Sequence, residues 1–253
     1  MTTLGHELAG DVAIVTGAAR NIGRATCLAL ADAGAAICVN AMNSGAEAET
    51  LAREIEAAGG RAMHFVADIT DPEAVRAMTD AVVDRFDKLS ILINNSAVRG
   101  NTSLEEMTLD EWQRIFRPIV EGTMLCSQAV IPHLRAAGGG TIICLGGIAG
   151  YAGVAGRTHV GAAKAALIGF MKGLVHEVGG DSIRVNTVVP GHIDTIRGAA
   201  ASARPDFGLK YLLEDRMGKP EEVADLIRAL CGPAGRYITG QTIHVNGGMY
   251  LPS

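Results

Sequence analysis

The chain has 253 residues, of which 48% are hydrophobic and 19% charged, so a sizeable buried core is expected and an intrinsically disordered chain is excluded. A formal net charge of −5 argues against nucleic acid or an anionic membrane as the main partner, since both reward a basic surface. Five scattered cysteines, an odd count without paired or metal-type spacing, exclude a disulfide framework and give no metal site.

Val12–Thr16 opens the pattern as a short apolar strand, followed by a helix over Ile22–Ala33. Strand Ala36–Asn40 and helix Ala46–Ala58 come next, then strand Ala62–Val66 and helix Pro72–Phe86. Strand Ile91–Asn94 leads to one long helical stretch, Leu109–Ala136, and strand Thr141–Leu145 leads to helix Gly161–Val178. Strand Ile183–Val189, helix Glu221–Leu230 and strand Thr242–Val245 complete the chain. The strands are almost continuously apolar, as parallel strands covered on both faces must be. Strict alternation implies right-handed crossovers and a doubly wound, three-layer α/β fold with a mainly parallel seven-stranded sheet, one domain over residues 1–253. Asp71-Pro72 reads as an N-cap with a first-turn proline, and Gly34, Gly59-Gly60 and Gly138-Gly139-Gly140 close helices. The less regular Gly191–Gly218 follows the sixth strand, where it is either a lid over the crevice at the strand ends or a surface excursion.

Met1–Gly10 contains neither a basic n-region nor a sustained apolar run, and no apolar stretch reaches the ~18 residues of a membrane span. Cys27, Cys38, Cys126, Cys144 and Cys231 fall mostly in apolar segments, which predicts buried thiols in a reducing, cytoplasmic setting.

The first strand runs straight into Thr16-Gly17-Ala18-Ala19-Arg20-Asn21-Ile22-Gly23 and then a helix. Glycine at such a turn lets backbone approach a pyrophosphate, while the helix N-terminus offers N–H donors and positive potential. Taken alone the turn is weak, because tight turns also use glycine for geometry. With Asp68 at the end of the third strand, Asn94-Asn95-Ser96-Ala97 after the fourth, Arg184-Val185-Asn186 leading to Pro190-Gly191 with Ile193 and Thr195, and Val245-Asn246-Gly247-Gly248 near the end, nearly the whole chain resembles the short-chain dehydrogenase/reductase family. The resemblance implies a Rossmann-like fold and an oxidoreductase that moves hydride between a nicotinamide and a carbonyl or alcohol. It assigns cofactor contacts to Gly17, Arg20, Asn21, Ile22, Gly23, Asp68, Asn95, Lys164, Pro190, Gly191, Ile193 and Thr195.

Two departures bear on the cofactor. Asn21 stands where the family has its middle glycine. If that position needs a positive φ, asparagine is the least costly replacement, but its side chain crowds the pyrophosphate and weakens binding. The second strand ends in Asn40-Ala41-Met42-Asn43-Ser44, with no acid to accept from ribose hydroxyls, while Arg20 sits in the turn. That combination favours NADP(H) over NAD(H).

The family's catalytic set is Asn, Ser, Tyr and Lys, in which tyrosine handles the carbonyl's proton and a lysine four residues later shares its helical face. Here Lys164 in Val160-Gly161-Ala162-Ala163-Lys164 matches the lysine, but the tyrosine position is Val160, the serine position Gly147 and the asparagine position Ile119. Valine and glycine side chains neither transfer a proton nor hydrogen-bond a substrate. Lys164 keeps the family role at the nicotinamide ribose or is a helix-surface lysine; His192 and Tyr151 are candidate displaced acids, each with a structural alternative. Three functions stay open: a non-catalytic subunit paired with an active relative, an atypical NADPH-dependent reductase using a displaced acid or water, and non-redox chemistry on the same fold. Ile119 and Val160 predict a more apolar pocket suited to an apolar or aromatic small molecule, and the family's habit implies a homo-oligomer or mixed oligomer through Leu109–Ala136 and Gly161–Val178.

Overall fold

The computed structural model describes residues 5–196, 210, 212–214 and 216–251. Seven strands make one sheet: β1 (Val12–Val15), β2 (Ala36–Ala41), β3 (Arg61–Val66), β4 (Ile91–Asn94), β5 (Gly140–Leu145), β6 (Ile183–Pro190) and β7 (Thr242–Val245). The order is β3-β2-β1-β4-β5-β6-β7 and every pairing is parallel. The chain winds outward from β1 in one direction to β3, then returns across β1 to build β4 through β7. β1 and β4 therefore diverge at a topological switch point, where a crevice opens beyond their carboxyl ends.

Helices cover both faces. Eight are present among the described residues: α1 (Asn21–Asp32), α2 (Gly45–Ala57), α3 (Pro72–Phe86), α4 (Leu109–Phe116), α5 (Gly122–Ala136), α6 (Ala149–Ala152), α7 (Thr158–Val178) and α8 (Pro220–Cys231). One core packs α1, α2 and α8 on the sheet through Leu30, Ile37, Leu51, Ile55, Val223 and Ile227. The other packs α3, α5 and α7 through Val82, Leu92, Val130, Leu167 and Met171. β1, β2 and β4 are buried at every position, which is why they read as unbroken apolar runs rather than alternating ones. At α3 the Asp71 carboxylate accepts from the Glu73 N–H at 2.9 Å and Pro72 occupies the first turn, as its sequence predicts.

One element differs from expectation. The stretch 109–136 is not a continuous α-helix: α4 ends at Phe116, a π-helical turn spans Arg117–Glu121, and α5 resumes at Gly122. Pro118 is the physical reason, because it has no N–H for the regular ladder and its ring crowds the preceding turn. The apolar period continues through both halves, so the sequence pattern alone does not show the break. The short α6 and an earlier start of α7, at Thr158, also add to the predicted set. Of Gly191–Gly218, expected as a lid or a surface excursion, residues 197–209, 211 and 215 lie outside the described residues. Among the described residues no helix is long and apolar enough to cross a membrane.

Candidate functional site

The crevice at the switch point has a volume of about 730 Å³, within the range of small-molecule and cofactor sites. Every residue assigned to the cofactor by resemblance lines it: Gly17, Arg20, Asn21, Ile22, Gly23, Asp68, Asn95, Lys164, Pro190, Gly191, Ile193 and Thr195. Gly147, Val160 and His192 line it too.

Its outer end is built by the turn from β1 into α1. Gly17 has a φ of +58°. A Cβ at Gly23 would lie 2.6 Å from the Gly17 carbonyl oxygen and 2.7 Å from Asn95 Nδ2, so no side chain fits there. Thr16 Oγ1 accepts from the Asn95 and Ser96 N–H groups at 3.0 and 3.1 Å, and Asn95 Nδ2 donates to the Thr16 and Gly17 carbonyls at 2.9 Å each. Asn95 thus clamps the end of β4 to the glycine-rich turn. Asn40 does the same from β2: its Oδ1 accepts from the Gly17 N–H at 3.4 Å, and its Nδ2 donates to the Phe65 and Ala67 carbonyls. Asp68 Oδ1 accepts from both the N–H and hydroxyl of Thr70 at 2.8 Å, which shapes the turn after β3.

Asn21 has a φ of 54°, the positive backbone angle under which asparagine is the cheapest non-glycine residue. Its side chain reaches across the crevice rather than lying idle: Nδ2 donates to the Ile196 carbonyl at 3.1 Å and Oδ1 accepts from the Ile196 N–H at 2.8 Å. On the opposite lip Arg99 Nη2 donates to Thr195 Oγ1 at 3.2 Å. The start of the segment after β6 is therefore pinned from both sides.

Beside the end of β2 the structure adds a residue that the sequence reading missed. Arg20 Nη2 donates to Ser44 Oγ at 3.2 Å and forms an ion pair with Glu47 Oε1. The Arg20 guanidinium holds the Glu47 carboxyl below its usual range. The end of β2 carries no acid, but the first turn of α2 brings one to Arg20. Its signal was the spacing Ser44-Gly45-Ala46-Glu47 at a helix start, where acids complement the dipole.

Lys164 sits at the inner end, buried on α7, with Nζ donating to the Leu145 carbonyl at 2.5 Å. It is a crevice residue and not a solvated helix-surface lysine. Burial pushes its amine down to about 8. Gly147 faces its aliphatic stem, with space for a Cβ at 3.6–3.9 Å from Cγ, Cδ and Cε. Val160 lies one turn earlier on the same side of α7, as a spacing of four residues requires. Ile119 is in the core, 1% exposed, within the π-helical turn.

The two candidate acids end up in different places. His192 lines the crevice, whereas Tyr151 does not: its ring packs edge-on against His244, centroids 4.6 Å apart, and against Tyr250. The reason is α6, which turns the residue toward β7. Arg157, a second missed residue, is nearly buried on the crevice wall.

The cradle fits a dinucleotide: a positive-φ glycine, a glycine that admits no Cβ, and a helix N-terminus all face one cavity of suitable size. A family model described as "Enoyl-(Acyl carrier protein) reductase" matches residues 17–250. The 3-oxoacyl-[acyl-carrier-protein] reductase of Synechocystis is 38% identical over 245 residues, 96% of this chain and 98% of that protein. The FabG protein of Vibrio cholerae, of the same name, is 36% identical over 97% of this chain and 99% of its own length. Among solved structures, a short chain dehydrogenase from Burkholderia cenocepacia in complex with NADP matches with a TM-score of 0.89 and 36% identity, covering 96% of this chain and 99% of that one. A 7 alpha-hydroxysteroid dehydrogenase complexed with NADH and 7-oxo glycochenodeoxycholic acid also matches at 0.89, with 28% identity and full coverage of both chains. With a clamped glycine-rich turn, a lysine at the inner end of the crevice and relatives alike over almost their whole length, this chain belongs to the short-chain dehydrogenase/reductase family.

Proposed function

We propose that the protein is an NADP(H)-dependent reductase of a carbonyl on a small, largely apolar molecule, with Lys164 as proton donor. The observation that carries this reading is Lys164 itself, buried at the inner end of the crevice between Gly147 and Val160. A bound reduced nicotinamide would supply hydride to the carbonyl carbon. The chain's residues supply placement and a proton. Among the side chains lining the crevice, Lys164 has its proton loosened by burial, whereas the arginines hold theirs and the hydroxyls of Ser44, Ser96 and Thr195 ionise far above neutrality. An ammonium lowered to about 8 is an effective acid near neutrality. The apolar wall from Val98, Ile148 and Val160 suits an acyl chain or ring better than a sugar. The reductases that this chain resembles are named for 3-oxoacyl carrier-protein substrates, which have a ketone on such a chain.

Arg20 and Ser44 at the ribose end support NADP(H) over NAD(H). The five buried free thiols support a reducing, cytoplasmic setting. A second copy of the chain is the partner we favour, seated on the faces of α5 and α7. Gly169 and Gly173 lie one turn apart on α7, beside half-exposed Met124, and beyond the local helix backbone a Cβ at either would meet no described atom within 4 Å. Two helix-interior glycines cost about 1 kcal/mol each relative to alanine, which a closely approaching partner helix offsets.

The test is NADPH oxidation with acetoacetyl-coenzyme A, followed with pH. Turnover is expected to fall as pH rises through about 8, as the ammonium is lost. Lys164→Arg keeps the charge but not the transferable proton, and kcat should drop by ~10²–10⁴-fold. A second reading, a nucleotide-binding subunit without activity of its own, is favoured by the loss of hydroxyls at Gly147 and Val160. It predicts that the wild-type protein binds NADPH without turnover, whereas Gly147→Ser/Val160→Tyr turns over.

A further inference from the structure

The ion pair at the ribose end is unaccounted for by the reductase reading. A 2′-phosphate and a carboxylate are both anions seeking the same guanidinium edge, and Glu47 already occupies it: Arg20 Nη2 is the atom that meets both Glu47 Oε1 and Ser44 Oγ. Both side chains are about half exposed, Arg20 52% and Glu47 46%, so the pair stands in water at the mouth of the crevice and neither member is locked by packing. Glu47 is anchored by its backbone in the first turn of α2, where a negative charge is favoured by the helix N-terminus. It is thus held near the arginine by two attractions, and it keeps its proton off because of them.

We propose that Glu47 is a specificity-determining residue that narrows this protein's preference for the phosphorylated cofactor. Binding NADP(H) requires the 2′-phosphate, with a charge of ~−1.5 to −2, to take Arg20 from the carboxylate. Binding NAD(H) requires neither, since a ribose hydroxyl can share the site with Arg20 still paired, and can itself donate to the Glu47 carboxylate. Arg20 favours the phosphate and Glu47 opposes it, so discrimination is smaller than an arginine without a carboxylate partner would give. Because the pair is solvent-exposed, the effect is screened by salt. The proposal rests on the reading that the crevice binds a nicotinamide dinucleotide.

The experiment is calorimetric titration of the wild-type protein, Glu47→Gln, Arg20→Leu and Arg20→Leu/Glu47→Gln with NADPH and with NADH at low and at high salt. Glu47→Gln should tighten NADPH by about 3- to 10-fold, an exposed-charge effect of ordinary size, and leave NADH unchanged or slightly weaker. The gain should shrink at high salt and vanish when Arg20 is leucine. An unchanged ratio of NADPH to NADH affinity in Glu47→Gln overturns the proposal while leaving the cofactor reading intact. So does a gain that persists without Arg20, since the carboxylate would then be acting on phosphate directly and not through the guanidinium. Absence of binding by either nucleotide to the wild-type protein overturns the cofactor reading, and the proposal with it.

Discussion

Single atoms decide much of the outer crevice. A methyl group at Gly23 would have to enter space already held by the Gly17 carbonyl and the Asn95 amide, both fixed by other hydrogen bonds. Gly23→Ala should therefore cost about 1–3 kcal/mol in a urea melt and weaken NADPH binding by at least ~10-fold, because the clamp itself must move. Asn21 is the converse case, a side chain present where the backbone tolerates it. Asn21→Ala keeps a Cβ at a φ of 54° while removing both bonds to Ile196, a loss of about 1 kcal/mol in stability. Asn21→Gly relaxes the backbone and clears the pyrophosphate approach, so calorimetry should show NADPH bound a few-fold more tightly. Weaker binding there would mean that the tether to Ile196 helps more than the amide hinders.

The break at Pro118 sets the element-scale geometry. The π-helical turn between α4 and α5 lets α4 lean on α7, and this brings Glu111 to 3.5 Å from Nε2 of the fully buried His159. Burial lowers the His159 pKa, and the Glu111 carboxylate only partly opposes that. The sign follows from linkage: the folded state resists the proton that the unfolded chain accepts, so the neutral ring costs nothing above about 6.5 and stability is lost as pH falls below it toward the lowered folded value. The wild-type melting temperature should drop by a few degrees between pH 7.5 and 5.5, and His159→Gln should flatten that part of the profile. An identical slope in the variant would place the acid sensitivity elsewhere. The His159 ring faces α4 and Gly100, about 100° around the helix from Val160, and does not line the crevice.

For the whole molecule, the exposed faces of α5 and α7 predict association. Light scattering at micromolar concentration should give a dimer or larger homo-oligomer, and Phe170→Asp, a charge placed beside Gly169 and Gly173, should return it to monomer without abolishing the fold. A monomeric wild-type protein would remove that face as an interface and leave the two helix glycines without a packing reason.

The sheet, its helices and the glycine-rich turn were legible in the sequence because each follows from local periodicity: fully buried strands are unbroken apolar runs, and a turn glycine is needed wherever backbones meet. The shared face of Val160 and Lys164 was legible for the same reason, four residues being about one helical turn. Asn40 looked like a vacant cofactor position and proved to be a clamp on the turn, a role assigned by groups from β1 and β3 that lie far away in the chain. Tyr151 followed β5 but was carried off by α6, and Glu47 reached Arg20 from the first turn of a helix. Spacing reports which residues share an element. Only the packing of one element on another decides which groups are buried and which charges meet: burial lowers the Lys164 pKa, and the approach of α2 to the glycine-rich turn sets the hold on Arg20.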